Sequence, residues 1–143
     1  MSYELRWEIE GRVSINTLYG EVTAADVHDL RHAARELSKE SSWPIHTLVD
    51  LSGITKYQTN IALMKTAIDF KSEPTTIGWT LIYGAQNPLV RFMASLLTQM
   101  STGLMHFRFF DTKEAALEWL IDEDITLRRH YRHAAEAEEA ATF

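Results

Sequence analysis

The stretch that decides the fold is Ile77-Gly78-Trp79-Thr80-Leu81-Ile82-Tyr83. Apolar side chains stand at nearly every position, where a strand with one face in water would alternate with polar ones. The run is short, as strands are, and its pattern is that of a strand covered on both faces, inside a sheet with helices on either side. Gly84-Ala85-Gln86 turns the chain, and Asn87-Pro88 reads as an N-cap followed by proline at the first helical position. An inner strand that feeds directly into a helix is the unit of a parallel α/β sheet.

The neighbouring segments fit that frame. Upstream, residues 45–51 (IHTLVDL) are partly β-branched and bounded by Pro44 and Gly53, which favours a strand. Between the two strands, residues 59–71 fit a helix with Ile61, Met64 and Ile68 on its inner stripe, closed by Pro74. Downstream, the helix opened at Asn87 runs to about Ser101 and ends at Gly103; residues 105–110 then form the last strand. Asp111-Thr112 caps a further helix over residues 113–122, with Ala116, Leu117 and Leu120 facing inward.

At the other end, Tyr3, Leu5, Trp7 and Ile9 alternate with Glu4, Arg6 and Glu8, the period of a strand with one wet face. Glu10-Gly11 turns this strand into a second, where Val13, Ile15, Thr17 and Tyr19 continue the alternation, so the pair reads as a hairpin. Thr23 is the expected N-cap of the first helix, with Asp26 three positions on as an imperfect capping box, and Val27, Leu30, Ala34 and Leu37 carry the helix to about Glu40. The order β-β-α-β-α-β-α-β-α predicts an α/β fold: a mixed five-stranded sheet with an N-terminal antiparallel edge hairpin followed by parallel strands. One domain is expected over residues 1–122. Residues 123–143, which carry Arg128, Arg129 and Arg132 but few large apolar side chains, read as a charged, Ala-rich helical extension.

The chain has 143 residues with 14 Lys+Arg against 20 Asp+Glu, a formal charge of −6. That balance gives no net drive toward nucleic acid. With no cysteine, disulfides, thiol nucleophiles and Cys-ligated metals are excluded. No apolar run approaches the ~20 residues of a membrane span, and the charged start of the chain does not read as a signal peptide. A cytoplasmic protein is expected.

In open α/β sheets ligands gather beyond the carboxyl ends of the strands. Asp50, Asn87 and Asp111 are delivered to that rim, although an Asp after a strand is also an ordinary turn residue. His28 and His32 have metal-ligand spacing but share their helix face with Arg35 and Lys39, and His130 and His133 lie beside the three arginines, so no metal site is expected. His46 and His106 occupy strands, where each either lines a pocket or is satisfied within the sheet. Asp122, Glu123 and Asp124 read as a surface cluster at a helix end. There is no G-x-S-x-G elbow, P-loop, G-x-G-x-x-G or H-E-x-x-H, and no cofactor is expected. On the third helix Leu89, Phe92, Met93, Leu96, Leu97 and Met100 occupy an arc wider than the roughly 100° of an ordinary surface helix. Core, dimer interface and pocket wall all remain open for that face.

Leu18-Tyr19-Gly20-Glu21-Val22-Thr23-Ala24-Ala25-Asp26, Thr47-Leu48-Val49-Asp50-Leu51-Ser52-Gly53-Ile54, residues 83–92, and the run from Phe109 through Asp111, Glu114, Ala115 and Trp119 to Leu120 occur in an order that resembles the SpoIIAA-like group, relatives of the STAS domains of anti-sigma factor antagonists. The likeness covers about residues 3–122. In those antagonists a D-S-S-G-L stretch carries a phosphorylated serine; it falls here on residues 58–62, where Thr59 keeps a hydroxyl while Gln58, Asn60 and Ile61 depart from the pattern. The group is also similar in fold to Sec14-type lipid-binding domains, which implies an apolar ligand held by Trp79, Met93, Leu97, Met100 and Phe107. The expectation is a non-catalytic regulatory or ligand-binding domain, self-associating as a homodimer, with a small apolar ligand or a regulatory protein as partner. An enzyme working at the rim and a phosphorylation-responsive switch at Thr59 are the alternatives.

Overall fold

A computed structural model describes residues 3–39, 45–57, 77–85 and 106–127, together with Pro88, Arg91 and Phe92. The described elements are β1 (Tyr3–Ile9), β2 (Val13–Val22), α1 (Ala24–Ser38), β3 (Ile45–Tyr57), β4 (Ile77–Tyr83), β5 (His106–Phe110), α2 (Lys113–Glu123) and a 3-10 turn, Ile125–Leu127. The strands form one sheet in the order β1-β2-β3-β4-β5. β1 runs antiparallel to β2, and every other neighbouring pair is parallel. This is the mixed α/β sheet expected from the sequence. The helices expected over residues 59–71 and 87–101 lie outside the described residues, except that Pro88, Arg91 and Phe92 are helical. Residues 128–143 lie outside them too.

The inner strand behaves as its composition demands. Leu81 and Tyr83 are buried on one face of the sheet and Ile82 on the other. On the first face Val13, Ile15, Leu48, Leu81 and Tyr83 pack under Ala116 and Leu120 of α2. On the second, Leu18, Val22, Leu51 and Ile82 pack against Leu30 of α1. Burying aliphatic side chains of this size contributes roughly 1.5–3 kcal/mol each, so this two-sided core is what holds the helices to the sheet.

Both described helices start where the capping chemistry places them. The Thr23 hydroxyl accepts from the Asp26 N–H at 3.2 Å, and the Asp26 carboxylate accepts from the Thr23 N–H at 2.9 Å. The box is therefore complete: the shorter acid reaches as well as a glutamate would. Thr112 caps α2 by accepting from the Ala115 N–H at 3.2 Å.

Two boundaries differ from the sequence reading. β3 does not stop at Leu51 but continues to Tyr57, because β2 is long enough to pair with it through Val22↔Tyr57. Gly53 lets the two strands close up, since a Cβ there would sit 3.0 Å from that of Tyr19. Packing also runs past residue 122, for Leu127 is fully buried in the α2 face of the core.

Candidate functional site

The register Thr17↔Asp50, Asp50↔Tyr83 and Tyr83↔Phe110 sets four parallel strands level, so Asp50 and Asp111 arrive at the same rim, where β4 and β5 end. Asn87, the third residue expected there, lies outside the described residues, as does Thr59. Asp111 is exposed and Asp50 half-buried. Asp50 is not free: its Oδ1 accepts from the Ser52 N–H at 2.9 Å and from the Ser52 hydroxyl at 2.6 Å. Gly84 crosses this pair at φ 79°, a left-handed conformation that favours glycine. A Cβ there would come within 2.9 Å of the Ser52 Cβ and 3.3 Å of Asp50 Oδ1.

Behind Asp50 lies Tyr83, only 5% exposed, whose hydroxyl has no hydrogen-bond partner among the described residues. Burial, then the negative charge of Asp50 and Glu8, pushes its pKa up to about 12, against a smaller opposing effect of Arg6. The phenol is thus held protonated. Beside it, Lys113 at the start of α2 pairs with Glu8 of β1 at 3.0 Å.

A second polar group forms at the opposite end of the strands, and reading the sequence missed it. His46, at the start of β3, has its Nε2 2.9 Å from Asp124 Oδ2, and its Nδ1 accepts from the Trp79 N–H at 2.9 Å. Because Nδ1 accepts a backbone proton, the ring proton sits on Nε2 and is donated to Asp124. Arg12 Nη2 donates to Asp124 Oδ2 at 3.3 Å and to the Thr126 hydroxyl. The Asp124 Oδ1 accepts from the Thr126 hydroxyl at 2.6 Å and its N–H at 3.1 Å. Burial by itself would raise the Asp124 pKa; the hydrogen bonds from Thr126 and His46 outweigh it and hold the carboxyl below its ordinary value. Gly78 belongs to the same group, since a Cβ there would overlap the His46 imidazole.

Asp124 is therefore not part of a surface cluster. The signal was present in the spacing: Asp124 follows Leu120 by four residues and Ala116 by eight, so it continues the buried stripe of α2. His46 proves to be the satisfied sheet histidine of the two alternatives. His28 and His32 are exposed, and the described residues contain no group of three side chains fit to hold a metal ion.

The expected apolar pocket needs correction. Trp79 and Phe107 do not line one cavity, because alternation puts them on opposite faces of the sheet. Trp79 packs edge-on against Trp119 with ring centroids 4.8 Å apart, in the α2 face of the core. Arg108 lies over the same Trp119 ring at 4.8 Å. Phe107 pairs with Phe109, 6.0 Å away, on the α1 face. That face also holds Tyr57 and Phe92, with centroids 5.4 Å apart. Met93, Leu97 and Met100 lie outside the described residues.

No protein-family model and no curated protein sequence matches this chain. Solved structures do. One is an uncharacterized protein from the DUF3478 family with a SpoIIAA-like fold from Shewanella loihica PV-4, at TM-score 0.56 and 17% identity over 82% of this chain and 91% of that one. Another is the anti-sigma factor antagonist SpoIIAA in its unphosphorylated form, at TM-score 0.51 and 10% identity over 82% of this chain and 95% of that one. The chain has a SpoIIAA-like fold. At these identities the likeness is one of fold alone. No described helix is long and apolar enough to cross a membrane.

Proposed function

We propose that this SpoIIAA-like domain is a non-catalytic binding domain that takes a small apolar molecule on the sheet face carrying Phe107 and Phe109. The observation that supports it is a group of partly buried aromatic rings on that face, Tyr57, Phe92, Phe107 and Phe109 among them. Phe92 opens the segment whose sequence presents Met93, Leu97 and Met100 at helical spacing, and methionine and phenylalanine suit an adaptable apolar wall. Trp79, on the other face, has no part in it. The chemistry of the rim points the same way, because the Asp50 carboxylate is taken up by Ser52 and the Tyr83 phenol is held protonated.

Native mass spectrometry of the purified chain tests the reading. A retained small molecule, removed by extraction and replaced by a fluorescent fatty acid, is expected, with about tenfold weaker binding in Phe107→Ala. Bare protein with no response to the fatty acid would return this face to plain core or to a protein-binding surface. A regulatory switch is the second reading. It draws on the shared fold with an anti-sigma factor antagonist and would use Thr59 as its hydroxyl. If it holds, Thr59→Glu alters binding to a partner protein without unfolding the chain; equal binding of both forms removes it.

A further inference from the structure

β1 is an edge strand: it pairs with β2 on one side, and among the described residues the five-stranded sheet stops there. Its outer edge therefore presents a row of main-chain donors and acceptors to whatever extended chain comes alongside. We infer that this edge pairs with β1 of a second copy, antiparallel and centred on Leu5, so that two sheets join into one of ten strands.

The choice of occupant rests on the charges of the strand. With Leu5 opposite Leu5, Glu4 stands across from Arg6 of the second copy and Arg6 across from its Glu4, which makes two opposite-charge pairs by symmetry. Tyr3 then faces Trp7, an aromatic pair on the other side of the strand. Glu4 and Arg6 are both exposed on the single chain. Sliding by one residue to centre on Arg6 sets Arg6 against Arg6 and Glu4 against Glu8, so every charge meets its like. Centring on Trp7 would pair Arg6 with Glu8, but Glu8 is already bound to Lys113 at 3.0 Å, and the strand register breaks between Trp7 and Ile9. Only the Leu5-centred register satisfies the strand with itself.

Sedimentation of the full chain across a concentration series, at low and high salt, tests this. A dimer is expected whose dissociation constant rises as salt is raised from about 0.05 to about 0.5 M, because exposed pairs are screened. Arg6→Glu and Glu4→Lys, each alone, are expected to weaken it about tenfold. The double variant Glu4→Lys/Arg6→Glu restores it. Mixing the two single variants restores it as well, since the lysine introduced in one chain then meets the glutamate introduced in the other. A wild-type chain that stays monomeric, a dimer indifferent to salt and to both single changes, or a loss that neither the double variant nor the mixture repairs would each overturn the inference. The readout does not depend on whether the Phe107 face holds a ligand, so either result leaves the binding reading to its own test.

Discussion

The two ends of the parallel strands are built on different principles. At the end where β3 and β4 begin, Arg12, His46, Trp79 and Asp124 are tied together across as many as 112 positions of sequence. At the end where β4 and β5 stop, Asp50 is bonded to a residue two places away, and the Tyr83 hydroxyl has no partner among the described residues. Bonds between distant segments form only when the whole sheet is assembled, so they report on global stability. A local Asx-type turn forms with or without it. The network at the first end depends on the assembled sheet, whereas the Asp50–Ser52 pair at the second is a local turn.

Substitutions should separate the two ends, and the largest effect is expected from Gly78→Ala. Its methyl displaces the His46 ring and breaks the bond from the Trp79 N–H, a loss of about 3 kcal/mol in a denaturant titration. Asp124→Ala comes next, at about 2–3 kcal/mol, because it removes a charged hydrogen-bond partner that His46 and Arg12 share. The same residue gives the stability curve a pH signature. Its folded pKa lies below the unfolded one, so its contribution is complete above about pH 4 and is lost as pH falls through the folded value. Asp124→Asn should flatten that acid limb. At the other rim Asp50→Ala costs about 1 kcal/mol, the value of a turn bond near solvent. Tyr83→Phe is smallest and opposite in sign, with stability unchanged or raised by up to about 1 kcal/mol, because it deletes a buried hydroxyl that makes no hydrogen bond among the described residues. A Tyr83→Phe variant as damaging as Asp124→Ala would erase the distinction between the ends.

Much of the frame was legible because its signals are local. The Tyr3-to-Trp7 alternation, the Thr23/Asp26 box and the Thr112 cap are each written within a few residues, and each appears where its spacing places it, whereas Ile9, expected on the side of Tyr3 and Leu5, packs on the α2 face because the strand register shifts between Trp7 and Ile9. The length of β3 was not legible, since a glycine that ends one strand lets another approach its neighbour closely, and only the presence of β2 decides between them. The candidate pocket failed at Trp79 for a related reason: a strand's alternation separates two faces but does not say which residues of the next strand share them. Register does that, and register is settled between strands.

The sequence alone determined the class of the fold, the order of its described strands and helices and the arrival of Asp50 and Asp111 at one rim, because hydrophobic period, caps and turn residues act over a few positions. Tertiary structure alone decided that Asp124 belongs to His46 and Arg12, that Trp79 and Phe107 lie back to back, and that the Tyr83 hydroxyl is buried beside Asp50. Those facts depend on which segments meet across the sheet, and it is burial and the pairing of distant polar groups that settle the meeting.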